Sequence, residues 1–155
     1  MLITGANKGI GYEVARQLAA KGFHVFVGAR NPKAGRKAAE DIAKNCGKAT
    51  FLEIDVAHND SVTTAAREFS DIEDHLDVLV NNAGIIVDGD NAILEISDEL
   101  FRDTLETNTL GALRVTRSGP RVFVSIVFRN RSPLISKIAL SPSTMIPALF
   151  TSTSR

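Results

Sequence analysis

The sequence predicts an α/β fold, a doubly wound parallel sheet in strand order 3-2-1-4-5 with helices on both faces. Three observations predict it. Apolar runs of strand length alternate with amphipathic stretches along most of the chain, the pattern of right-handed βαβ crossovers. Residues 4 to 11, Thr-Gly-Ala-Asn-Lys-Gly-Ile-Gly, form a glycine-rich turn between the first apolar run and the first amphipathic stretch. The fourth run, Asp77 to Val80, is apolar enough to belong to a strand buried on both sides.

The elements follow in order. Leu2-Ile3 end a first strand that is short for a central position, so the amino end reads as clipped. From Ile10 to Ala20 the residues Ile10, Val14 and Leu18, with Ala15 and Ala19, recur at helical spacing, and Lys21-Gly22 stop the helix. Phe23 to Gly28 is the second strand and completes a βαβ unit of about 30 residues. Asn31-Pro32 opens a helix to about Asn45, closed by Cys46-Gly47. Ala49 to Val56 is the third strand. Asp60 or Ser61 caps a helix over residues 61 to 74, with Val62, Ala65, Phe69 and Ile72 on one face. A Gly/Asp-rich loop crosses residues 84 to 92, Ser97 opens a long helix to about Arg117, and Arg121 to Phe128 is a fifth strand. The arrangement is of the Rossmann type, with a ligand expected at the carboxyl ends of the strands where the order reverses.

Composition narrows the class. A chain of 155 residues with 44% hydrophobic and 23% charged residues has room for one domain with a real core. Its single cysteine, Cys46, excludes an internal disulfide and suits a reducing compartment, so a cytoplasmic location is expected. No apolar run is long enough for a membrane helix, and no membrane partner is expected. The zero formal charge conceals an asymmetry: all 18 acidic residues lie between Glu13 and Glu106. After Gly119 come Arg121, Arg129, Arg131, Lys137 and Arg155 with no acid, along with four of the five prolines. Residues 129 to 155 therefore read as a divergent, weakly structured basic tail, separate from a binding domain over 1 to 128. The tail shows neither a clustered cationic face nor interleaved aromatics, so nucleic acid is not expected as a partner.

The turn carries the first chemical inference. Glycines let a backbone take positive φ and bring amide groups within reach of a phosphate. The helix beginning near Gly9 aims its free N–H groups and the positive end of its dipole at such an anion. A nucleotide diphosphate is the ligand this predicts.

Four segments together resemble the short-chain dehydrogenase/reductases: Thr4 to Gly11, Asp55-Val56, Asn81-Asn82-Ala83-Gly84 and Asn108-Thr109-Leu110-Gly111. The resemblance covers roughly residues 1 to 118 and is nearest to carbonyl-reductase-like members. It implies hydride transfer between a nicotinamide cofactor and a small carbonyl or alcohol substrate. It places Gly5, Asn7, Lys8, Gly9, Ile10 and Gly11 around the pyrophosphate. It puts Asp55 and Val56 at the adenine, and Asn82, Ala83 and Gly84 beside the adenosine ribose. Asn108 corresponds to the asparagine of the family's proton relay. For the cofactor, an acid at the end of the second strand would favour NAD. Here Gly28-Ala29-Arg30 stand there, and Arg30 with Lys8 suits a 2′-phosphate, so NADP(H) is expected over NAD(H).

The resemblance fails in the catalytic half. The family's general acid is a tyrosine followed four residues later by a lysine, and the one tyrosine here, Tyr12, lies in the first helix. Pro133-Leu134-Ile135-Ser136-Lys137 keeps only a Ser-Lys ending, and Ser125 reads as an ordinary strand residue. A frameshift, truncation or alternative splice would produce such a chain. Members of the family are often oligomeric, and the helix that usually supplies the interface is not recognisable here. The leading expectation is an NADP(H)-dependent oxidoreductase. The alternative is a catalytically inactive NADP-binding fragment, and a tail-mediated interaction protein ranks last.

Overall fold

The computed structural model describes residues 1–86 and 97–118 and the backbone of residues 122–127. Five parallel strands form one sheet in the order β3-β2-β1-β4-β5, as the sequence predicts. They are β1 (Leu2–Thr4), β2 (Val25–Ala29), β3 (Ala49–Glu53), β4 (Leu76–Asn81) and β5 (Val122–Val127). β1 lies at the centre, with Ile3 opposite Val27 on one side and Val80 on the other.

Alternation along the strands divides the core into two layers. Ile3, Val25, Val27 and Val80 face helices α1 (Gly9–Ala20) and α2 (Pro32–Asn45), meeting Ala15, Leu18, Ala38 and Ile42. Leu2, Phe26, Leu52 and Leu79 face the other way. They pack with Val62 and Phe69 of α3 (Asn59–Ser70) and with Val115 of α5 (Ala112–Ser118). Each large side chain taken fully out of water contributes about 1.5–3 kcal/mol, so the two layers are the main source of stability. Phe26 stacks on Phe69 at 4.6 Å between ring centroids.

Several boundaries move from their expected places for local reasons. β3 stops at Glu53 rather than Val56: Ile54 still donates its amide to Ala29 O, but the Asp55 amide turns to Ser61 Oγ at 2.8 Å. That contact occupies the hydroxyl expected to cap the helix. α3 therefore starts earlier, with His58 at its N-cap and no side chain capping it. α3 ends at Ser70, short of residue 74: the Ile72 amide bonds to Phe69 O three residues back rather than four, tightening the last turn. Asn31 and Ser97 cap their helices as predicted, accepting from the amides of Ala34 and Leu100.

The long helix expected from Ser97 is the largest departure. It is α4 (Asp98–Leu105), a six-residue π turn (Glu106–Gly111) and then α5. Periodicity over a window averages across one inserted residue, so the pattern shows a single helix. Among the described residues no helix is long and apolar enough to cross a membrane. The proposed tail of residues 129 to 155 and the Ser136-Lys137 pair lie outside the described residues.

Candidate functional site: a glycine turn locked to the end of β4

The turn after β1 and the loop after β4 meet at the carboxyl end of the sheet, and Thr4 joins them. Its side chain is buried, and Oγ1 accepts from the amides of Asn82 and Ala83, each at 3.0 Å, while donating to Val80 O at 3.4 Å. Asn82 reciprocates, its Nδ2 donating to Thr4 O at 2.9 Å and Gly5 O at 3.2 Å. The sequence signals for these two residues differ. Asn82 stands out in an Asn-Asn-Ala-Gly turn, whereas Thr4 is only the residue ahead of the first glycine. Its role is visible only once β1 and β4 are neighbours.

The three glycines do different work. Gly5 has φ +65°, and a Cβ there would lie 2.9 Å from Ala83 Cα. At Gly11 a Cβ would lie 2.4 Å from Asn82 Nδ2 and 2.7 Å from Gly5 O. These two let the turn and the start of α1 close onto the β4 loop. Gly9 has φ +59° with nothing within 4 Å of where its Cβ would stand. Its left-handed conformation is therefore not imposed by a protein neighbour at that face.

The same spot is electropositive. Lys8 is the N-cap of α1 in extended conformation, no side chain caps the helix, and no acid lies in its first turn. The first amides of a helix have no partner within it and carry the positive end of its dipole. With Asn7 half-buried in the turn and Lys8, Gly9 and Ile10 exposed, those donors face open space. Ile10 is 49% exposed, so its side chain is not core. A phosphate-bearing cofactor fits this cradle: it supplies the acceptors that the amides lack, on the side where no Cβ intrudes.

The other predicted residues gather along the same edge. Asp55 lies two residues beyond β3. Its Oδ1 accepts from the Ala57 amide at 3.0 Å, and its Oδ2 stands 3.3 Å from His58 Nδ1. The carboxylate is thus held by its own turn, with 30% of its side chain exposed. Val56 is buried beneath the π turn, where a Cβ on Gly111 would come within 2.8 Å of its Cγ2. Arg30 is exposed at the end of β2. The ladder also sets exposed Glu53 opposite Ala29, the last residue of β2.

Asn108 sits in the π turn and pairs with the loop after β4. Its Oδ1 accepts from the Ile85 amide and its Nδ2 donates to Ile85 O, both at 2.8 Å. A Cβ on Gly84 would lie 3.1 Å from Asn108 Oδ1. The side-chain amide is thus committed to fixing this loop. Tyr12 follows Gly11 in α1 but directs its hydroxyl elsewhere. Its hydroxyl donates to Asp41 across the α1–α2 surface, and that bond raises the phenol's pKa, the wrong direction for a tyrosine that must give up a proton near neutrality. Among the described residues no cluster of three metal-ligating side chains occurs.

Known proteins share this fold and sequence pattern. A family model described as short chain dehydrogenase matches residues 1–128. The chain is 34% identical over 113 residues to the 3-oxoacyl-(acyl-carrier-protein) reductase of Chlamydia muridarum, covering 72% of this chain and 44% of that protein. Among solved structures it is similar to a variant of actinorhodin polyketide ketoreductase with NADPH, at 37% identity and a TM-score of 0.70. That match covers 76% of this chain and 44% of the other. It is also similar to an alcohol dehydrogenase of Thermococcus sibiricus complexed with 5-hydroxy-NADP, at 30% identity and a TM-score of 0.70, with 76% and 49% covered. The chain spans less than half the length of the Chlamydia relative. With the sheet order, the glycine turn and the family match in agreement, this chain belongs to the short-chain dehydrogenase family of oxidoreductases.

Proposed function

We propose that this chain carries the NADP(H)-binding half of a short-chain oxidoreductase that interconverts a carbonyl and an alcohol. The observation that carries the reading is Gly9, left-handed and open, at the uncapped start of α1. The nicotinamide, when bound, supplies the hydride donor or acceptor. The chain's own residues bind and orient. The α1 amides and the backbone of Gly5 to Gly11 hold the pyrophosphate. Asp55 and Val56 take the adenine edge, and the loop Asn82-Ala83-Gly84 lies by the ribose.

Selection of NADP(H) rests on Lys8 and Arg30, two exposed cations with no ion-pair partner among the described residues. A guanidinium and an ammonium each gain a charge-assisted bond with a 2′-phosphate, and at exposed sites two such bonds of about 0.5–1 kcal/mol each give about a tenfold preference over the 2′-hydroxyl. Fluorescence titration with NADPH and NADH tests this. NADPH should bind more tightly, and Lys8→Ala with Arg30→Ala should level the two affinities. Equal affinities in the unaltered chain would sink the NADP(H) assignment, and binding of neither would sink the cofactor site.

A second reading is favoured by Tyr12. As the chain's one tyrosine, bonded to Asp41, it cannot serve as the acid beside a nicotinamide at the sheet's carboxyl edge. On this reading the 155-residue chain binds NADPH without turning it over. Stabilisation by NADPH with no oxidation of it across a panel of reactive carbonyls is the expected pattern, and turnover would refute this second reading.

A further inference from the structure

We propose that Glu106 and Arg114 form a clip that holds the π turn in register, making them positioning residues for both cofactor-facing loops that the turn touches. The inference deepens the cofactor-site reading and rests on it. Arg114 Nη2 donates to Glu106 Oε2, and Nη1 donates to the Glu106 carbonyl oxygen at 3.3 Å. One guanidinium therefore grips both the side chain and the backbone of the first π residue.

The spacing makes the clip specific to the π register. In a regular α-helix a residue eight positions on is rotated by roughly 80° around the axis, onto another face. A π turn inserts one residue, so Arg114 stands where a seventh residue would, within roughly 20° of Glu106's own stripe. The pair aligns along one face only while the insertion is present. Arg114 is sheltered, with 21% of its side chain exposed, so the contact is not a fully solvated one.

The π turn in turn seats two loops. Gly111 presses on Val56, leaving no room for a Cβ, and Asn108 makes its reciprocal pair with Ile85. Val115, further along, is buried against the sheet. Removing the inserted residue would rotate Asn108 by roughly 100° relative to Val115, so the two could not both keep their partners. By favouring the π register, the clip keeps the Val56 and Ile85 loops in fixed relation at the edge where adenine and ribose would lie.

Amide hydrogen exchange on the full 155-residue chain tests this, because the Ile85 amide donates directly to Asn108. Arg114→Met should speed exchange at Ile85 by about fivefold while leaving Val27 of β2 unchanged. Arg114→Lys, which keeps the charge but not the two-pronged grip, should fall between. If Arg114→Met does not fold, Glu106→Gln, which removes the charge at constant size, is read in the same way. Unaltered protection of Ile85 in a folded variant overturns the proposal. So does equal acceleration at Ile85 and Val27, which marks a general loss of stability. NADPH titration of the unaltered chain is read separately: failure to bind rejects the cofactor site, while the exchange result alone decides the clip.

Discussion

Thr4 and Asn82 are bonded in both directions. The threonine hydroxyl accepts the Asn82 amide at 3.0 Å, and the asparagine Nδ2 donates back to Thr4 O at 2.9 Å. Two strand ends 78 residues apart in sequence are thereby locked at the point where the glycine turn begins. Thr4→Val keeps the shape but strands the Asn82 and Ala83 amides, at a cost of about 2–3 kcal/mol. Thr4→Ser should recover most of that. Urea denaturation of the three proteins measures it; a valine variant as stable as the original would show that water replaces the hydroxyl.

The glycines should separate into binding and folding positions. Gly9→Ala incurs only the left-handed penalty, about 1–2 kcal/mol, and places a methyl where the phosphate is proposed to sit. It should lower NADPH affinity more than it lowers stability. Gly11→Ala drives a Cβ towards Asn82 Nδ2 and Gly5 O, and overpacking of this kind costs about 1–3 kcal/mol. Its melting temperature should fall further than that of Gly9→Ala. The opposite ranking would refute this division.

Gly35 on α2 lies under Phe51, and a Cβ there would meet the ring at 2.1 Å. Gly35→Ala should therefore destabilise by about 1–3 kcal/mol despite alanine's better helix propensity. Phe51→Leu in the same chain should make the alanine less costly, although it forfeits the Arg36 guanidinium stacked 5.1 Å from the ring centroid. Additive losses in this double-mutant cycle would count against the steric account.

His24, Glu73 and Thr50 form a polar knot at the opposite end of the sheet from the glycine turn. His24 Nδ1 stands 2.6 Å from Glu73 Oε1, and Nε2 stands 2.9 Å from Thr50 Oγ1. The bond to His24 holds the Glu73 carboxyl below its ordinary value. A depressed carboxyl contributes stability that is complete above its unfolded pKa of about 4.3 and is lost as pH falls through the lower folded value. Glu73→Gln should leave a shallower loss of stability with acid, read from urea midpoints between about pH 6 and pH 3. Parallel curves for the two proteins would exclude a role for this carboxyl.

Several local features of the candidate site were legible in the chain. Gly5, Gly9 and Gly11 announced a close approach because few other needs place three glycines between a strand and a helix. Asn31 and Ser97 marked helix starts because a side-chain acceptor there satisfies an orphan amide. The start of α3 was misread because Ser61, a good cap by type, is held by Asp55, and which acceptor an amide finds is decided by the fold. The pairing of Glu53 with Ala29 was hidden for a similar reason: strand register, not sequence distance, makes them neighbours.

The sequence by itself determined the strand order and marked the glycine turn as a close approach of backbone, since each depends on local pattern or residue type. Tertiary structure alone decided that Thr4 is the rivet between β1 and β4 and that Asn108 spends its amide on Ile85. It also decided that the helix opened by Ser97 carries a π turn gripped by Arg114. The physical reason is common to all three. Local propensity fixes what a residue is able to bond, but a hydrogen bond needs a partner within about 3 Å, and only the folded sheet and its helices bring distant partners that close.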